Sequence, residues 1–481
     1  MSQTAKTVAR QASFLMVAST LQKAIAFVAF TYAARKLGAE GVGTYFYVLS
    51  MSSLAAAWTD LGMTPVIVRA FAASEEEGWK LVFLAMRAKL LLIPLVATGA
   101  IFYLWQSAHG LAMLPFLALA LIVMAEDALS LLGYGILRGR QRLDIESLGM
   151  ILGQFLSSGA LMLAVGFGFG VTGALIALVL GSLWHMLWSI SWVVRVCRIP
   201  KDLAHDSWRR FIRLAYPFAL AGIFVRVYSS VDSVLINHWN GTTSVGQYAV
   251  AYKLTYALQF LPMAFVAALY PALSAAHAKD DETSLVHTTL GSWRFMALLG
   301  FPLAAALSGF APRLLPWLYG AHFSPAIEIL TVLAWVLPPI FLDFPIGSYL
   351  NATHRAEQKT FAMGVTMVVN VIANVILVPR LGPVGAAWAA LVSFLVLLLV
   401  SAWFGRKVFL SKTALLVAGK ATLCAAGLWI LIRTAFEPLP LVIALVVAPM
   451  FAFILATATR LLTREDFAVM QTWIRERRAR L

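Results

Sequence analysis

Charge is scarce in this chain: only 12% of its 481 residues are Asp, Glu, Lys or Arg, against about a quarter in soluble domains. With 61% hydrophobic residues and a mean hydropathy of +0.83, that scarcity excludes a water-soluble fold and makes the bilayer the solvent. Cysteine is almost absent. Cys197 and Cys424 have no metal-ligand neighbours in the sequence, which excludes a disulfide framework and a paired-cysteine metal site. Short strands of alternating polarity are missing, so a transmembrane barrel is excluded as well. No connection is long enough for a folded soluble domain, and there is no nucleotide fingerprint, HExxH or GxSxG. Nothing points to catalysis, and neither a cofactor nor a metal is expected.

What the chain does have is long apolar runs. A spanning helix needs roughly 20 mainly apolar residues, and reading for such runs gives about fourteen. They fall near 14–34, 42–68, 81–105, 114–137, 148–168 and 171–194 in the first part. After a polar linker come 214–236, 245–273, 289–310, 329–350, 361–378 and 384–404, then 413–432 and 439–457. The expected fold is an all-α integral membrane protein. A net charge of +15 could suggest nucleic acid, but its placement argues for topology. One set of connections holds Lys6, Arg10, Arg69, Lys80, Arg138, Arg140, Arg142, Arg195, Arg209, Arg210, Arg213, Lys279, Arg355, Lys359, Arg406 and Lys407. The other set holds only Arg35, Lys36, Arg313, Arg380 and Arg433. Under the positive-inside rule both termini are cytoplasmic. No small-residue cleavage site follows the N-terminal segment, so the first helix is read as retained.

The chain also repeats itself. Leu37–Tyr45 (LGAEGVGTY) aligns with Asn240–Tyr248 (NGTTSVGQY), Leu137–Arg142 (LRGRQR) with Leu350–Arg355 (LNATHR), and Gly170–Ala174 (GVTGA) with Gly382–Ala386 (GPVGA). These predict two pseudo-symmetric six-helix lobes, 1–200 and 201–410, joined through the polar linker Arg195–Arg213. Each copy has an even number of helices, so both enter the membrane in the same direction, with a substrate site expected between them. Two extra helices occupy 411–460. In the tail, 461–481, Thr463 and Asp466 have capping-box spacing and Phe467, Met470 and Ile474 share a face opposite Arg475, Arg477 and Arg478. That pattern describes a helix lying on the inner leaflet or a solvated terminal helix.

Ionisable residues within the spans are costly, roughly 2.5–3.5 kcal/mol each at a helix centre, and tend to face a cavity or a partner. Arg226, Ser229, Ser230, Ser233 and Asn237 form one polar stripe; Tyr252, Lys253, Tyr256 and Gln259 form another. Cations among tyrosines and serines suit a phosphate-bearing, hydroxyl-rich ligand. The alternative is ion pairing, for instance of Arg226 or Lys253 with Asp232 or Asp60. The candidate cavity set is Lys23, Asp60, Arg69, Arg226, Asp232, Tyr252, Lys253 and Tyr256. Glu126, Asp127 and Asp343 are candidates for binding a coupling ion, or are hydrogen-bonded structural carboxyls. Arg87 and Lys89 are expected to snorkel at a helix entrance, and Arg294 likewise. Lys420 is read as a groove or a structural residue. Pro217, Pro271, Pro338, Pro339 and Pro345 are expected to interrupt helices.

Four regions together resemble the multidrug/oligosaccharidyl-lipid/polysaccharide exporter superfamily, and within it the Wzx-type polysaccharide-unit flippases. They are Ala34–Gly38 through Gly43 and Tyr45; Asp60-Leu61-Gly62 with Arg69; Pro217 through Asp232, Val245–Tyr248 and Lys253 to Tyr270-Pro271; and Asn370, Asn374, Pro379, Gly382, Gly385 and Ala386. The resemblance implies two six-helix lobes in a V around a cationic cavity. It implies alternating access that moves an undecaprenyl-diphosphate-linked glycan between leaflets of a bacterial inner membrane, driven by an ion gradient or the membrane potential. Expected partners are the lipid-linked glycan, the membrane and polysaccharide polymerase and assembly proteins, with no nucleic acid and a monomeric state. Lipid II flippases and cation-coupled multidrug antiporters of the same superfamily are the alternatives. A membrane glycosyltransferase or polymerase is a more distant one.

Overall fold

The computed structural model describes residues 3–106, 110–198, 200 and 207–462. The expected amphipathic tail after Thr463, and the centre of the polar linker, lie outside them. The helices are α1 (Gln3–Asp60), α2 (Met63–Ala73), α3 (Glu75–Gln106), α4 (Leu114–Gly139), α5 (Leu143–Gly166), α6 (Gly170–Val196), α7 (Trp208–Ala257) and α8 (Phe260–Ala278). They continue as α9 (Glu282–Tyr319), α10 (Ala326–Leu333), α11 (Leu337–Ala352), α12 (Ala356–Phe404), α13 (Arg406–Phe409), α14 (Lys412–Thr434) and α15 (Leu441–Ala458). No strand occurs among the described residues. Among the described residues, ten helical segments are long and apolar enough to cross a membrane.

Three helices are far too long for one crossing. A straight α1 of 58 residues would run about 87 Å at about 1.5 Å per residue, nearly three times the hydrocarbon thickness of about 30 Å. Each is broken instead by one glycine outside helical geometry: Gly38 (φ 69°, ψ −179°) in α1, Gly241 (φ 79°, ψ 174°) in α7 and Gly382 (φ 59°, ψ −142°) in α12. Positive φ of this kind is open to glycine and strained for other residues. With each broken helix counted as two limbs, about fourteen long segments result, as the apolar runs predict.

The same backbone carries the repeat. Gly38 and Gly241 occupy aligned positions, and so do Gly170 (φ 58°) and Gly382 (φ 59°). So do Gln141 (φ 57°) and His354 (φ 58°), two non-glycine residues in the left-handed region. Each of the three aligned sequence pairs therefore carries a positive-φ residue at the same aligned position.

Several span expectations need correction. The run 42–68 is interrupted at Leu61 (φ 41°) and Gly62 (φ 72°), where α2 starts. The run 245–273 divides between α7 and α8, and 329–350 is divided by a 3₁₀ turn at Ala334–Val336. Proline breaks fewer helices than its number suggests. Pro217, Pro271 and Pro345 sit inside α7, α8 and α11, and Pro338 and Pro339 lie in the first turn of α11, where their missing N–H costs nothing.

By packing, the chain forms two compact units. The first comprises Met1–Ala257, Leu318–Ala326 and Met363–Ala389; the second comprises Leu258–Trp317, Ile327–Ala362 and Ala390–Leu481. In the first, α2 to α4 and the start of α7 enclose a core that includes Ile67, Phe71, Trp79, Leu84, Leu137 and Phe211. In the second, Leu269, Leu273 and Leu285 form a smaller cluster with Ala352. There Trp293 donates to the Ala414 carbonyl at 3.2 Å, and Arg313 donates to the Phe436 carbonyl at 2.9 Å, tying α9 to the appended helices. Large apolar side chains such as Leu91, Leu95, Leu163, Val446 and Met450 are more than 60% exposed, the arrangement expected of a surface solvated by lipid. Cys197 and Cys424 are buried and free.

Candidate functional site

In the first unit, α1 and α7 meet at a pair of aligned glycines. A Cβ on Gly43 would lie 1.7 Å from the Thr242 carbonyl oxygen, and one on Gly246 would lie 1.8 Å from that of Ala39. Thr242 and Ala39 are themselves aligned, so the contact is reciprocal about a local pseudo-two-fold. Backbone against backbone leaves room for no side chain, which is why the Val-Gly pair occurs in both copies.

Further along the same helices lies a polar cavity of about 570 Å³. The second limb of α1 contributes Ser52, Ser53 and Asp60; α4 contributes Asp127, Tyr134 and Arg138; α5 contributes Glu146; α6 contributes His185; and α7 contributes Arg226. Asp127, Tyr134 and Arg138 fall on one face of α4, spaced by about two and one helical turns.

The charged groups here follow two patterns. In the first, a cation is matched by an acid. Lys89 is fully buried and donates to Asp60 at 3.2 Å and to the Thr59 carbonyl at 3.3 Å; Thr64 donates to the same carboxylate at 2.6 Å. Arg138 makes a forked ion pair with Glu146, which is 1% exposed. In the second unit, Lys359 binds both oxygens of Asp343 and donates to Ser401 at 3.3 Å. In the second pattern, no acid lies within ion-pair distance. Arg226 donates to the Ser53 hydroxyl at 3.0 Å, and Lys253 lies 5.5 Å and 5.8 Å from the ring centres of Phe30 and Phe46. Among the described residues neither has a carboxylate within ion-pair distance.

The alternative pairing of Arg226 or Lys253 with Asp60 or Asp232 is therefore not what the structure contains. Asp60 holds Lys89. Asp232 is 2% exposed and accepts from the Tyr248 hydroxyl at 2.7 Å and the Asn374 amide at 2.8 Å. The side-chain oxygens of Asn370 and Asn374 are buried there without a donor. The expectation for Lys89 also needs correction, because it is a buried ion-pair member and not a snorkelling residue. Arg87 is exposed and lies over Phe83.

Of the other candidates, Asp232, Tyr252, Lys253 and Tyr256 are not among the residues lining this cavity, contrary to expectation; Tyr252 and Tyr256 stack at 4.0 Å, and Tyr252 donates to the Ser229 carbonyl at 3.4 Å. Lys23 is half-buried beside Gln22, which reaches the cavity. Arg69 is exposed with its guanidinium 4.8 Å from the Phe218 ring, off the cavity wall. Asp127 lines the cavity and accepts from Ser182 at 2.8 Å; the adjacent Glu126 does not reach it. Lys420 donates to the Arg460 carbonyl at 3.3 Å in the second unit. Sequence reading missed the Tyr134–His185 hydrogen bond (3.0 Å) and the Arg138–Glu146 pair on the wall. A tyrosine, an arginine and a glutamate at helical spacing across two adjacent helices were the available signal. No cluster of metal-ligating side chains occurs among the described residues.

Long apolar helices around a charged, polar cavity define a multi-pass membrane transport protein. The chain belongs to the polysaccharide biosynthesis protein family, whose profile matches residues 8–277, more than half its length. The MatE family also matches, over residues 217–376. The probable low-salt glycan biosynthesis flippase Agl15 of Haloferax volcanii is 23% identical over 391 residues, 81% of each chain. The probable flippase AglR of the same organism is 26% identical over 268 residues, 54% of each chain. Among solved structures, the lipid II flippase MurJ in an inward closed conformation superposes with a TM-score of 0.75 at 14% identity, covering 92% of this chain and 98% of that one. An inward-facing multidrug resistance MATE transporter gives 0.65 at 19% identity, covering 80% and 94%. Those likenesses establish the fold. With flippases as its relatives, the chain is a membrane transporter of the flippase type and not an enzyme.

Proposed function

We propose that the protein moves a lipid-linked oligosaccharide or polysaccharide repeat unit, carried on undecaprenyl diphosphate, across a bacterial inner membrane by alternating access. The observation that carries this reading is the pair of cations, Arg226 and Lys253, that have no carboxylate within ion-pair distance among the described residues. A cation within a membrane protein that is not held in an ion pair can take an incoming anion, because that charge supplies what the protein withholds. Arg226 would take a phosphate oxygen, with Ser53 beside it. Lys253 and the Tyr252–Tyr256 stack would offer charge and ring faces to the phosphate-proximal sugar. No bond need form or break. The barrier removed is the burial of a charged, hydrated head in hydrocarbon, while the lipid tail stays in the bilayer.

On the same reading, 1–200 and 201–410 are the two lobes, both termini are cytoplasmic, and polymerase and assembly proteins receive the product. Asp232 with the buried amide oxygens of Asn370 and Asn374 suits a proton or small cation that biases the cycle. Of the acids named for that role, Asp343 already holds Lys359. A drug antiporter would need cavity carboxylates free for organic cations, whereas Asp60 and Glu146 are engaged by Lys89 and Arg138, and Asp127, which accepts from Ser182, shares the cavity with the Arg226 guanidinium.

The test is complementation of a flippase-deficient strain, with surface polysaccharide as the readout and protein level as the control. Arg226→Ala and Lys253→Ala each abolish export at normal expression. Wild-type output from both variants overturns the assignment.

A further inference from the structure

The cavity has a second wall that the phosphate reading leaves unused. Asp127, Tyr134 and Arg138 run along one face of α4 for about 16 Å at about 1.5 Å per residue, with His185 of α6 and Glu146 of α5 beside them. Tyr134 and His185 share a hydrogen bond of 3.0 Å, Ser182 donates to Asp127 at 2.8 Å, and Glu146 is neutralised by Arg138. Two glycines of α5 make room for this layer. A Cβ on Gly153 would meet the His185 ring at 2.6 Å, and one on Gly149 would meet the Tyr134 hydroxyl at 2.8 Å.

We propose that this α4–α6 wall reads the glycan, and that it selects repeat units whose lipid-proximal sugars are uncharged over units carrying a uronic acid there. The inference rests on the proposed function, since it takes Arg226 as the phosphate site of the same cavity. Its physics is a charge balance. Asp60 and Glu146 have cation partners, but Asp127 has none within ion-pair distance among the described residues, and the cavity cation that faces it is Arg226. Once a diphosphate occupies Arg226, Asp127 stands uncompensated. A sugar hydroxyl can donate to that carboxylate and to the Tyr134–His185 pair. A sugar carboxylate can donate nothing, and it meets a like charge in a site of low dielectric.

The experiment uses the full-length purified protein and three synthetic probes: undecaprenyl diphosphate, its neutral disaccharide, and the same disaccharide with glucuronic acid as the second sugar. Binding is measured at fixed low salt. Wild type is expected to prefer the neutral disaccharide over the uronate by about tenfold or more. Asp127→Asn, isosteric and still able to accept from Ser182, shrinks that ratio to about threefold or less instead of shifting both affinities together. Tyr134→Phe weakens the neutral disaccharide several-fold but leaves sugar-free undecaprenyl diphosphate unchanged. Equal binding of the two disaccharides to wild type, or an unchanged ratio in Asp127→Asn, overturns the inference. The sugar-free probe separates the two readings. If it binds wild type and not Arg226→Ala while discrimination is absent, the phosphate site stands and the glycan wall falls. If it fails to bind wild type, both fall.

Discussion

Lys89 and Arg226 belong to the same compact unit, yet their electrostatic situations are opposite. Lys89 is fully buried and holds Asp60; Arg226 reaches the cavity that Asp60 also lines and holds only a serine hydroxyl. Arg138 and Lys359 follow Lys89, and Lys253 follows Arg226. Hydrocarbon penalises an unmatched charge, so a fold that brings an acid within ion-pair distance of three cations could have done the same for two more. The difference teaches where stability and function separate. On the proposed function, matched cations hold helices together and those outside ion pairs are left for a ligand.

The comparison breaks most readily at Lys89. Replacement by Met keeps the stem's volume but leaves Asp60 half-enclosed without its ammonium, and losing one partner of a buried pair costs about 3–5 kcal/mol. Lys89→Met should therefore lower the melting temperature in detergent sharply. Adding Asp60→Asn should recover much of the loss, because the second change removes the orphaned charge. A single variant as stable as wild type would mean that the matched cations are not structural, and the contrast with Arg226 would lose its meaning.

A smaller effect is expected where α1 meets α7. Gly43→Ala and Gly246→Ala each place a methyl group within 2 Å of a backbone carbonyl oxygen. Overpacking of this kind costs about 1–3 kcal/mol even where neighbours can shift, and here the neighbour is main chain. Because the contact is reciprocal, the two variants should lose stability by similar amounts. Unequal losses would show that the local pseudo-symmetry does not extend to the energetics.

Those glycines were legible in the sequence, and Lys89 was not. A repeat writes itself into aligned residues: Gly38 with Gly241, Gly43 with Gly246 and Gln141 with His354 each adopt in the structure what their alignment suggests. Apolar runs likewise placed nearly every helix, since hydropathy measures the property that inserts them. A helix start is less certain. The apolar run from 81 put Lys89 near an entrance, whereas α3 begins at Glu75 and carries Lys89 into its middle. Its partner sits in another helix, and no local spacing joins them. The same holds for Asp232 and Asn374, both singled out from sequence but joined only by the fold. Pairings between distant helices decide whether a charge is structural or available, which is why the candidate residues could be listed and their roles could not be sorted.

The sharpest form of the comparison is also its smallest in stability. Among the described residues the Arg226 side chain has one hydrogen bond, to a serine that also accepts from Ser230 at 3.1 Å, and no carboxylate lies within ion-pair distance of it. Arg226→Gln keeps a donor near Ser53 and removes the charge, so stability should change by no more than about 0.5 kcal/mol. Transport should nevertheless be lost, because a neutral amide cannot replace the charge-assisted, bidentate contact that a guanidinium makes with phosphate. Thermal melting in detergent and flipping of a lipid-linked glycan in proteoliposomes, measured on one preparation, read the two quantities together. Transport lost at unchanged melting separates Arg226 from Lys89. If Arg226→Gln melted as far below wild type as Lys89→Met, Arg226 would be one more structural cation, and the ligand that its missing counter-charge implies would have no place to bind.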